Sequence, residues 1–406
     1  MTGHLRFCYN KRGMKLLEHQ AKDILSRFGI PVPKGMVVET PARAAAAVEK
    51  FGPRVVLKAQ VLAGGRGKAG GIKTALGPED ARFKAEALFK TRLTTPQTGA
   101  AGLAVRRILV EEAVSIDSEF YLGVAVDRPR SAVTLLVSPR GGIDIEETAR
   151  AIPNAVFRED VDPQAGARPY QVRRLAFALG LSGETLTEAA AIMTGAVRAL
   201  LDSDATLVEI NPLALTGEGR LLALDAKIVL DDNALFRHPE FHAADDDADA
   251  DPAEAAAARA GLNYVRLGGD IGCLVNGAGL AMATADLIQA AGGKPANFCD
   301  IGGGVSEDAV KAGFEIVISD PAVRAVLVNV FGGIVRCDLV ARGMIRAAEE
   351  KGVRVSFIVR FLGTNAEEGR ALLAASGLAY ETAETMGEAA RKAVDAAGRN
   401  PGGGRT

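Results

Sequence analysis

Tryptophan is absent from this 406-residue chain, and histidine and cysteine occur four times each. Cys8, Cys273, Cys299 and Cys337 form no C-x-x-C pair and lie far apart, which excludes a disulfide frame and a thiolate zinc site. Reduced thiols of this kind point to a cytoplasmic protein, with the mitochondrial matrix as the alternative. No apolar run approaches the roughly 20 residues that cross a bilayer. The formal net charge of −2 gives the chain no pull toward nucleic acid or an anionic membrane. Residues 1–13 carry Arg6, Lys11 and Arg12 but lack the apolar core of a secretory signal, and they read as a loose extension. No Gly-Lys-Ser/Thr closes a Walker loop. His4, His19, His238 and His242 all stand outside glycine-framed loops, so none has the setting of a phosphate-accepting nucleophile.

What the chain does have is glycine, 46 residues of it, placed where apolar runs end. The run 55–71, "VVLKAQVLAGGRGKAGG", passes from β-branched residues into a loop holding Lys58, Arg66 and Lys68. Glycines let a backbone approach an anion and aim N–H groups at phosphate oxygens, while the cations supply charge. Gly65-Arg66-Gly67-Lys68-Ala69-Gly70 fits the G-x-G-x-x-G pattern, but a dinucleotide turn needs a helix directly after it. "GIKTALGPED" reads instead as a second strand, so the expectation is a glycine-rich hairpin over a nucleotide. A basic loop with no ligand is the plain alternative.

Taken in order, residues 15–28 have the apolar spacing of a helix that Gly29 ends, and 41–50 and 78–89 read as further helices. Strands are expected at "GMVVET", 54–60, "RRILVEEAV", "SEFYLGVAVD" and "SAVTLLVSPRGG", with helices at 173–178 and 187–201. Five aspartates within 245–251 then mark a hydrated linker, after which Asp251-Pro252-Ala253-Glu254 has the form of an N-cap, a Pro at N1 and an acid at N3. Beyond it four apolar strands, "IGCLVNGAG", "PANFCDIGGG", "RAVLVNVFGG" and "RVSFIVRFLG", alternate with helices at 280–291, 306–319, 338–351 and 366–375. Glycines at 302, 332 and 363 recur at about the length of a βαβ unit, predicting a parallel sheet covered on both faces with its ligand at the carboxyl edge.

The segment 206–230, "TLVEINPLAL-TGEG-RLLALDAKIVL", reads as a hairpin. With the turn at 217–219, opposed residues have numbers summing to about 436, the register that the turn position fixes. Glu209, Asn211, Asp225 and Lys227 then share one face, and Val208, Ile210, Leu222, Leu224 and Ile228 the core face. An amide oxygen and a carboxylate side by side suit Mg²⁺, which takes one or two protein oxygens with phosphates and waters. A solvated face with a Glu–Lys pair is the alternative.

These motifs in this order ("KAQVLAGGRGKAGGIK", "EFYLG", "LVEINPL", "LALDAK", "DDNALFR", "IGCLVNGAGLAMAT" and "VNVFGGIVRCD") resemble the β-subunit family of ADP-forming succinate–CoA ligase over residues 14–397. The resemblance implies an α/β protein: an α+β ATP-grasp nucleotide-binding domain (14–243), an acidic linker (244–260), a flavodoxin-like, doubly wound CoA-ligase domain (261–397) and a disordered tail (398–406). It also implies an acid–thiol ligase of the tricarboxylic acid cycle, working with Mg²⁺ and ATP or ADP, with GTP left open. By motif, Lys58 is the lysine reaching the nucleotide phosphates, and Gly65, Arg66 and Gly67 close over them. Glu111 and Val114 take the adenine edge and Glu119 the ribose. Asn211 and Asp225 are the Mg²⁺ ligands, and Glu209 steadies a histidine during phosphoryl transfer. Asn276, Gly333, Ile334 and Val335 take the substrate-pocket positions. Because no histidine here suits that role, the resemblance points to an α subunit that carries it and most of the CoA site, in a heterodimer or heterotetramer using succinate, CoA and phosphate. A malate–CoA ligase large subunit shares nearly all of this, though the apolar Ile334 and Val335 favour succinate. A stand-alone ATP-grasp ligase joining a carboxylate to an amine is the alternative of a different class.

Overall fold

The opening apolar helix is shorter than its pattern. It runs Glu18–Arg27, because Lys15 bridges to Val229 and the Leu16 N–H donates to the Ile228 carbonyl at 3.1 Å, so the residues before it are held as an extended edge. A computed structural model describes residues 13–95, 102–143, 145–242, 251–352 and 355–399. The expected N-terminal extension, acidic run and tail lie almost wholly outside these residues. The chain divides into two compact units, 1–245 and 246–406.

The first unit holds two large antiparallel sheets and a small two-stranded one, Arg92–Leu93 with Leu103–Ala104. One large sheet runs in the order Gly35–Val38, Ile108–Glu112, Arg54–Ala59, Ile72–Leu76. Val55, Leu57, Ile108 and Val110 pack its inner face against Ala44, Ala47, Ala81 and Ala85 of helices Pro41–Phe51 and Gly77–Lys90. Thr40 caps the first helix by accepting from Arg43 N at 3.3 Å, with Pro41 where a missing N–H costs nothing. The other sheet runs Leu221–Ala223, Ala205–Thr216, Ile116–Asp127, Ala132–Ser138, Phe157–Val161, with Ala226–Leu230 also on the central Ala205–Thr216 strand. Glu18–Arg27, Pro169–Ala178 and Gly183–Asp202 cover its inner face through Ile24, Leu25, Leu175, Ile192 and Val197. The Ile145–Ala151 helix and the Phe157–Val161 strand have no counterpart in the sequence expectation, since neither repeats an apolar period long enough to read.

The second unit is one six-stranded sheet in the order Asn263–Arg266, Asn297–Asp300, Ile271–Val275, Ala325–Gly332, Ser356–Gly363, Tyr380–Thr382. It is parallel except at its first strand, which pairs antiparallel with Asn297–Asp300. Helices pack on both faces. One of them, Met386–Arg399, is absent from the sequence expectation because its buried face is alanine (389, 390, 393, 396, 397), which barely registers as an apolar stripe. Asp251 does cap Pro252–Arg259, accepting from Ala253 N at 2.8 Å. Burial pushes the Cys273 and Cys299 thiols up to about 12 and the Cys337 thiol to about 11, leaving all three as protonated core residues.

The chain order reverses beside Ile271–Val275, whose neighbours are the next strand in sequence on one side and the one after it on the other. Open α/β sheets bind ligands at the carboxyl end of such a switch point. That end carries Asn276 and the 333–335 loop.

Candidate active site

The glycine loop is a hairpin. Arg54–Ala59 pairs antiparallel with Ile72–Leu76, Lys58 facing Ile72, and the Ala59 N–H donates to the Gly71 carbonyl at 2.8 Å. Gly65 and Gly70 close the loop at φ of +79° and +77°, which side-chain-bearing residues rarely adopt. Gly65 and Gly67 are exposed, yet Arg66 between them is buried.

Arg66 reaches inward, as does Lys58. Arg66 Nη2 lies 2.9 Å from Glu18 Oε2 and 2.8 Å from Asp225 Oδ1, and Nη1 donates to the Ala59 carbonyl at 3.1 Å. Lys58 Nζ lies 3.0 Å from Glu18 Oε1 and 2.7 Å from Glu111 Oε2, and donates to the Leu224 carbonyl. Lys22 Nζ lies 2.9 Å from Glu18 Oε1, pairs with Glu111 and donates to the same Leu224 carbonyl at 2.8 Å. Three cations therefore meet three carboxylates, mostly out of water. Burial opposes ionisation of Glu18, but Lys58, Lys22 and Arg66 outweigh it and hold its carboxyl well below the usual range. Burial likewise opposes charge on Lys58, and Glu18, Glu111 and Asp225 override it, raising the ammonium above an ordinary lysine. Lys22 goes the other way: burial, then the Lys58 charge, lower it despite its two carboxylates.

The Ala205–Thr216 strand pairs with Ala226–Leu230 and Leu221–Ala223 so that opposed numbers sum to 436, as Glu209 with Lys227 and Leu213 with Ala223. The expected core face fails in its second half. Val208, Ile210 and Ile228 are buried, but Leu221 and Ala223 fill the core while Leu222 and Leu224 are half-buried. The cause is an irregularity on both strands at the same level. Pairing to Ile116–Asp127 shifts between Ile210 and Leu213, and 224–225 interrupt the opposite strand, so both alternate on the other phase past that point.

Asn211 and Asp225 sit at that interruption, with the Asn211 N–H donating to the Asp225 carbonyl at 3.3 Å. Asn211 Oδ1 accepts from Gly142 N at 2.7 Å, and its Nδ2 donates to the Ile143 carbonyl at 2.9 Å. Asp225 Oδ1 accepts from Arg66 and from Ala226 N at 2.8 Å, while Oδ2 accepts no hydrogen bond among the described residues. The donor set, one amide oxygen and one carboxylate with an oxygen to spare, fits a hard cation that completes its shell with phosphates and water. Glu209 lies 3.7 Å from Lys227 Nζ on the half-buried face. Glu119 is exposed, its carboxylate over Gly142, and Val114 is half-buried in the connector ahead of the Ile116–Asp127 strand. Glu111 sends its carboxylate to the two lysines, and its strand is paired on both sides, so its side chain faces no base edge.

In the second unit the Asn276 side chain makes two bonds with the Phe331 main chain, donating to its carbonyl at 2.8 Å and accepting from its N–H at 2.9 Å. The 333–335 loop follows, its Gly333 carbonyl accepting from Thr364 Oγ1 at 2.9 Å. Ile334 is 80% exposed, but Val335 is in the core at 1%, so its side chain lines no pocket. The loop leads into Cys337–Lys351, whose positive end Arg336 flanks, while buried Asp338 gathers Arg336, Arg342 and Asn365 at 2.8, 2.5 and 3.0 Å.

Sequence reasoning missed Glu18, Lys22 and Asp300. Glu18 and Lys22 lie four apart beside the apolar stripe of their helix, a pattern usually read as a surface pair. Asp300 accepts from Gly277 N at 2.5 Å and Gly302 N at 2.8 Å, tying two strand-end loops together. An acid at a strand end before a glycine run is its signal.

An ATP-grasp domain family matches residues 15–215, and a CoA-ligase family matches 274–394. The chain is 50% identical over 385 residues to the succinate–CoA ligase [ADP-forming] subunit beta of Anaeromyxobacter dehalogenans (strain 2CP-C), covering 95% of this chain and 99% of that one. It is also 50% identical over 388 residues to the protein of that name from Chlorobium phaeovibrioides, covering 94% and 99%. In fold it is similar to the ATP citrate lyase of Methanothrix soehngenii, at TM-score 0.72 and 18% identity, covering 95% of this chain and 100% of that one. Half-identity along nearly the whole of both sequences settles the family: the chain belongs to the β subunits of ADP-forming succinate–CoA ligase.

Proposed function

We propose that the first unit binds Mg-ATP and that, with an α subunit bearing the phosphorylated histidine, this β subunit interconverts ATP, succinate and CoA with ADP, phosphate and succinyl-CoA. The observation that carries the reading is the meeting of Lys58 and Arg66, from the glycine hairpin, with Glu18 and with Asp225 from the far end of the unit, Arg66 Nη2 lying 2.8 Å from Asp225 Oδ1. Lys58 and Arg66 offer the nucleotide phosphates positive charge, and the N–H groups around Gly65 and Gly67 cradle them. Asn211 and Asp225 would hold Mg²⁺, which neutralises charge on the transferring phosphoryl group. Glu119 would take the ribose, and the connector at Val114 the base edge. Glu209 orients the partner's histidine from the strand face it shares with Lys227.

In the second unit, Asn276 braces the strand ends against which the 333–335 loop presents main-chain groups to the dicarboxylate. The helix that follows, with Arg336 at its start, offers a positive end to the phosphohistidine. Two of this chain's own histidines are committed elsewhere, His19 Nδ1 lying 3.0 Å from Gln60 Oε1 and His238 Nε2 2.7 Å from Asp204 Oδ2, which supports a histidine supplied by another chain.

The test uses ATP labelled at the γ-phosphate with Mg²⁺, first with this chain alone and then with its α subunit. Label is expected on a partner histidine, discharged by succinate and CoA as succinyl-CoA and lost with Asp225→Ala. Product from this chain alone would favour the carboxylate–amine ligase. Discharge by malate but not succinate would keep the mechanism and change the substrate.

A further inference from the structure

Glu18 has no part in the roles above, yet its carboxylate touches all three buried cations. We propose that Glu18 is a positioning residue of the nucleotide site, setting the Lys58 ammonium and the Arg66 guanidinium from behind and so tying the glycine loop to Asp225. The inference rests on the nucleotide reading and adds a residue and a linkage to it.

The two carboxylate oxygens have separate tasks. Oε1 faces the ammonium groups of Lys22 at 2.9 Å and Lys58 at 3.0 Å, and Oε2 faces Arg66 at 2.9 Å. One rigid group thus sets the spacing of the two cations that reach the phosphates. The other acids cannot do this: Glu111 meets both lysines, and Asp225 meets Arg66. Without Glu18, Lys58 is left to Glu111 and Arg66 to Asp225, so the strand-borne cation and the loop-borne cation lose their common reference.

The loop depends on this more than the strand does. Gly65 and Gly67 are exposed and have no side chains, so Arg66 is what fastens this part of the loop to the interior, through Ala59, Asp225 and Glu18. Asp225 is also the metal-ligand candidate, and a guanidinium resting on it alone would compete for the oxygens that a cation needs. Glu18 takes part of that load. Lys22 completes the arrangement by balancing the charge count and keeping Glu18 ionised, and its bond to the Leu224 carbonyl holds the helix against the break that presents Asp225.

The test uses the complex of this chain with its α subunit, carrying Glu18→Gln, with wild type measured alongside. The Michaelis constant for ATP and the dissociation constant of Mg-ADP, by calorimetry, are expected to rise about tenfold or more, as for loss of a charge-assisted contact. The kcat and the Michaelis constant for succinate are expected to stay near wild type. A merely structural role lowers the active fraction, hence the apparent kcat, and leaves the ATP constant alone; that result would overturn the proposal. Glu18→Asp keeps the charge on a shorter arm, so its ATP constant should fall between the two, and it carries the test if Glu18→Gln fails to fold. In the Glu18→Gln background Arg66→Gln should cost less than it does alone, since part of what Arg66 contributes depends on its contact with Glu18, whereas fully multiplicative penalties would count against it. If wild type fails to bind Mg-ADP, the nucleotide reading itself is wrong. If wild type binds and Glu18→Gln binds equally well, this inference alone is wrong.

Discussion

The two units assemble their sites in opposite ways. In the second, Asp300 ends its strand and Asn276, the 333–335 loop and Thr364 follow the ends of its neighbours, so a repeating strand–loop–helix pattern delivers them to one edge. In the first, residues 18, 22, 58, 66, 111 and 225 come from a helix, a loop and two sheets. Each unit gathers cations around a buried carboxylate, but Glu18 does so out of water. The arginines around Asp338 are 54% and 40% exposed at the side chain. A closed cluster must balance its charge internally, whereas an open one leaves part of that to solvent.

The sharpest way to break this comparison is to remove one cation from each cluster. Lys22→Met leaves Glu18 and Glu111 short of a buried partner and is expected to destabilise the first unit by about 3–5 kcal/mol. Arg342→Met, at the half-exposed cluster, should cost about 0–1 kcal/mol. Urea unfolding of both variants checks this, and equal losses would end the distinction between closed and open clusters.

Glycine provides the next contrast. Gly363 ends its strand at a φ of +148°, and an added methyl would collide with the Gly332 carbonyl of the neighbouring strand. Gly363→Ala should cost about 3 kcal/mol or more. Gly65 has open space around its Cα, so Gly65→Ala should cost only about 1 kcal/mol for its left-handed backbone and act instead on nucleotide affinity. The same unfolding series, with Mg-ADP titrations, distinguishes a glycine kept for packing from one kept for the loop's path.

The smallest effect is in acid. Burial opposes ionisation of Asp338, but hydrogen bonds from Arg336, Asn365 and Arg342 outweigh it and hold its carboxyl at about 2. A depressed carboxyl stabilises the fold above its unfolded value and loses that contribution as pH falls toward the folded one. Wild type should therefore exceed Asp338→Asn by on the order of 1–2 kcal/mol at pH 5, after screening at the half-exposed arginines, and the gap should close near pH 2. A gap that is constant with pH would show that Asp338 acts by shape and not by charge.

The same contrast explains what could be read in advance. The second unit was legible because periodic apolar strands ending in glycine carry both the fold and the edge where the site lies. Its antiparallel first strand and alanine-faced last helix were not, since neither has a strong apolar period. In the first unit the hairpin register and the pairing of Asn211 with Asp225 could be counted from the turn. The phase change beside them could not, because it needs the interrupted strand to be seen. Lys58 and Arg66 announced themselves in a glycine loop. Glu18 and Lys22 did not, because an acid and a base four apart on a helix look like a solvated pair until two sheets close over them.

Leu16 hydrogen-bonds to Ile228, and this seam between the ends of the first unit has a consequence for synthesis. The two residues are separated by more than 200 positions, and a ribosome adds roughly 5–20 residues per second. Glu18 and Lys22 therefore emerge about 10–40 s before Leu224, whose carbonyl accepts from both Lys22 and Lys58. Until then the helix lacks the edge that Leu16 makes with Ile228. The charge cluster is thus complete only when Asp225, the last of its six residues along the chain, has been made.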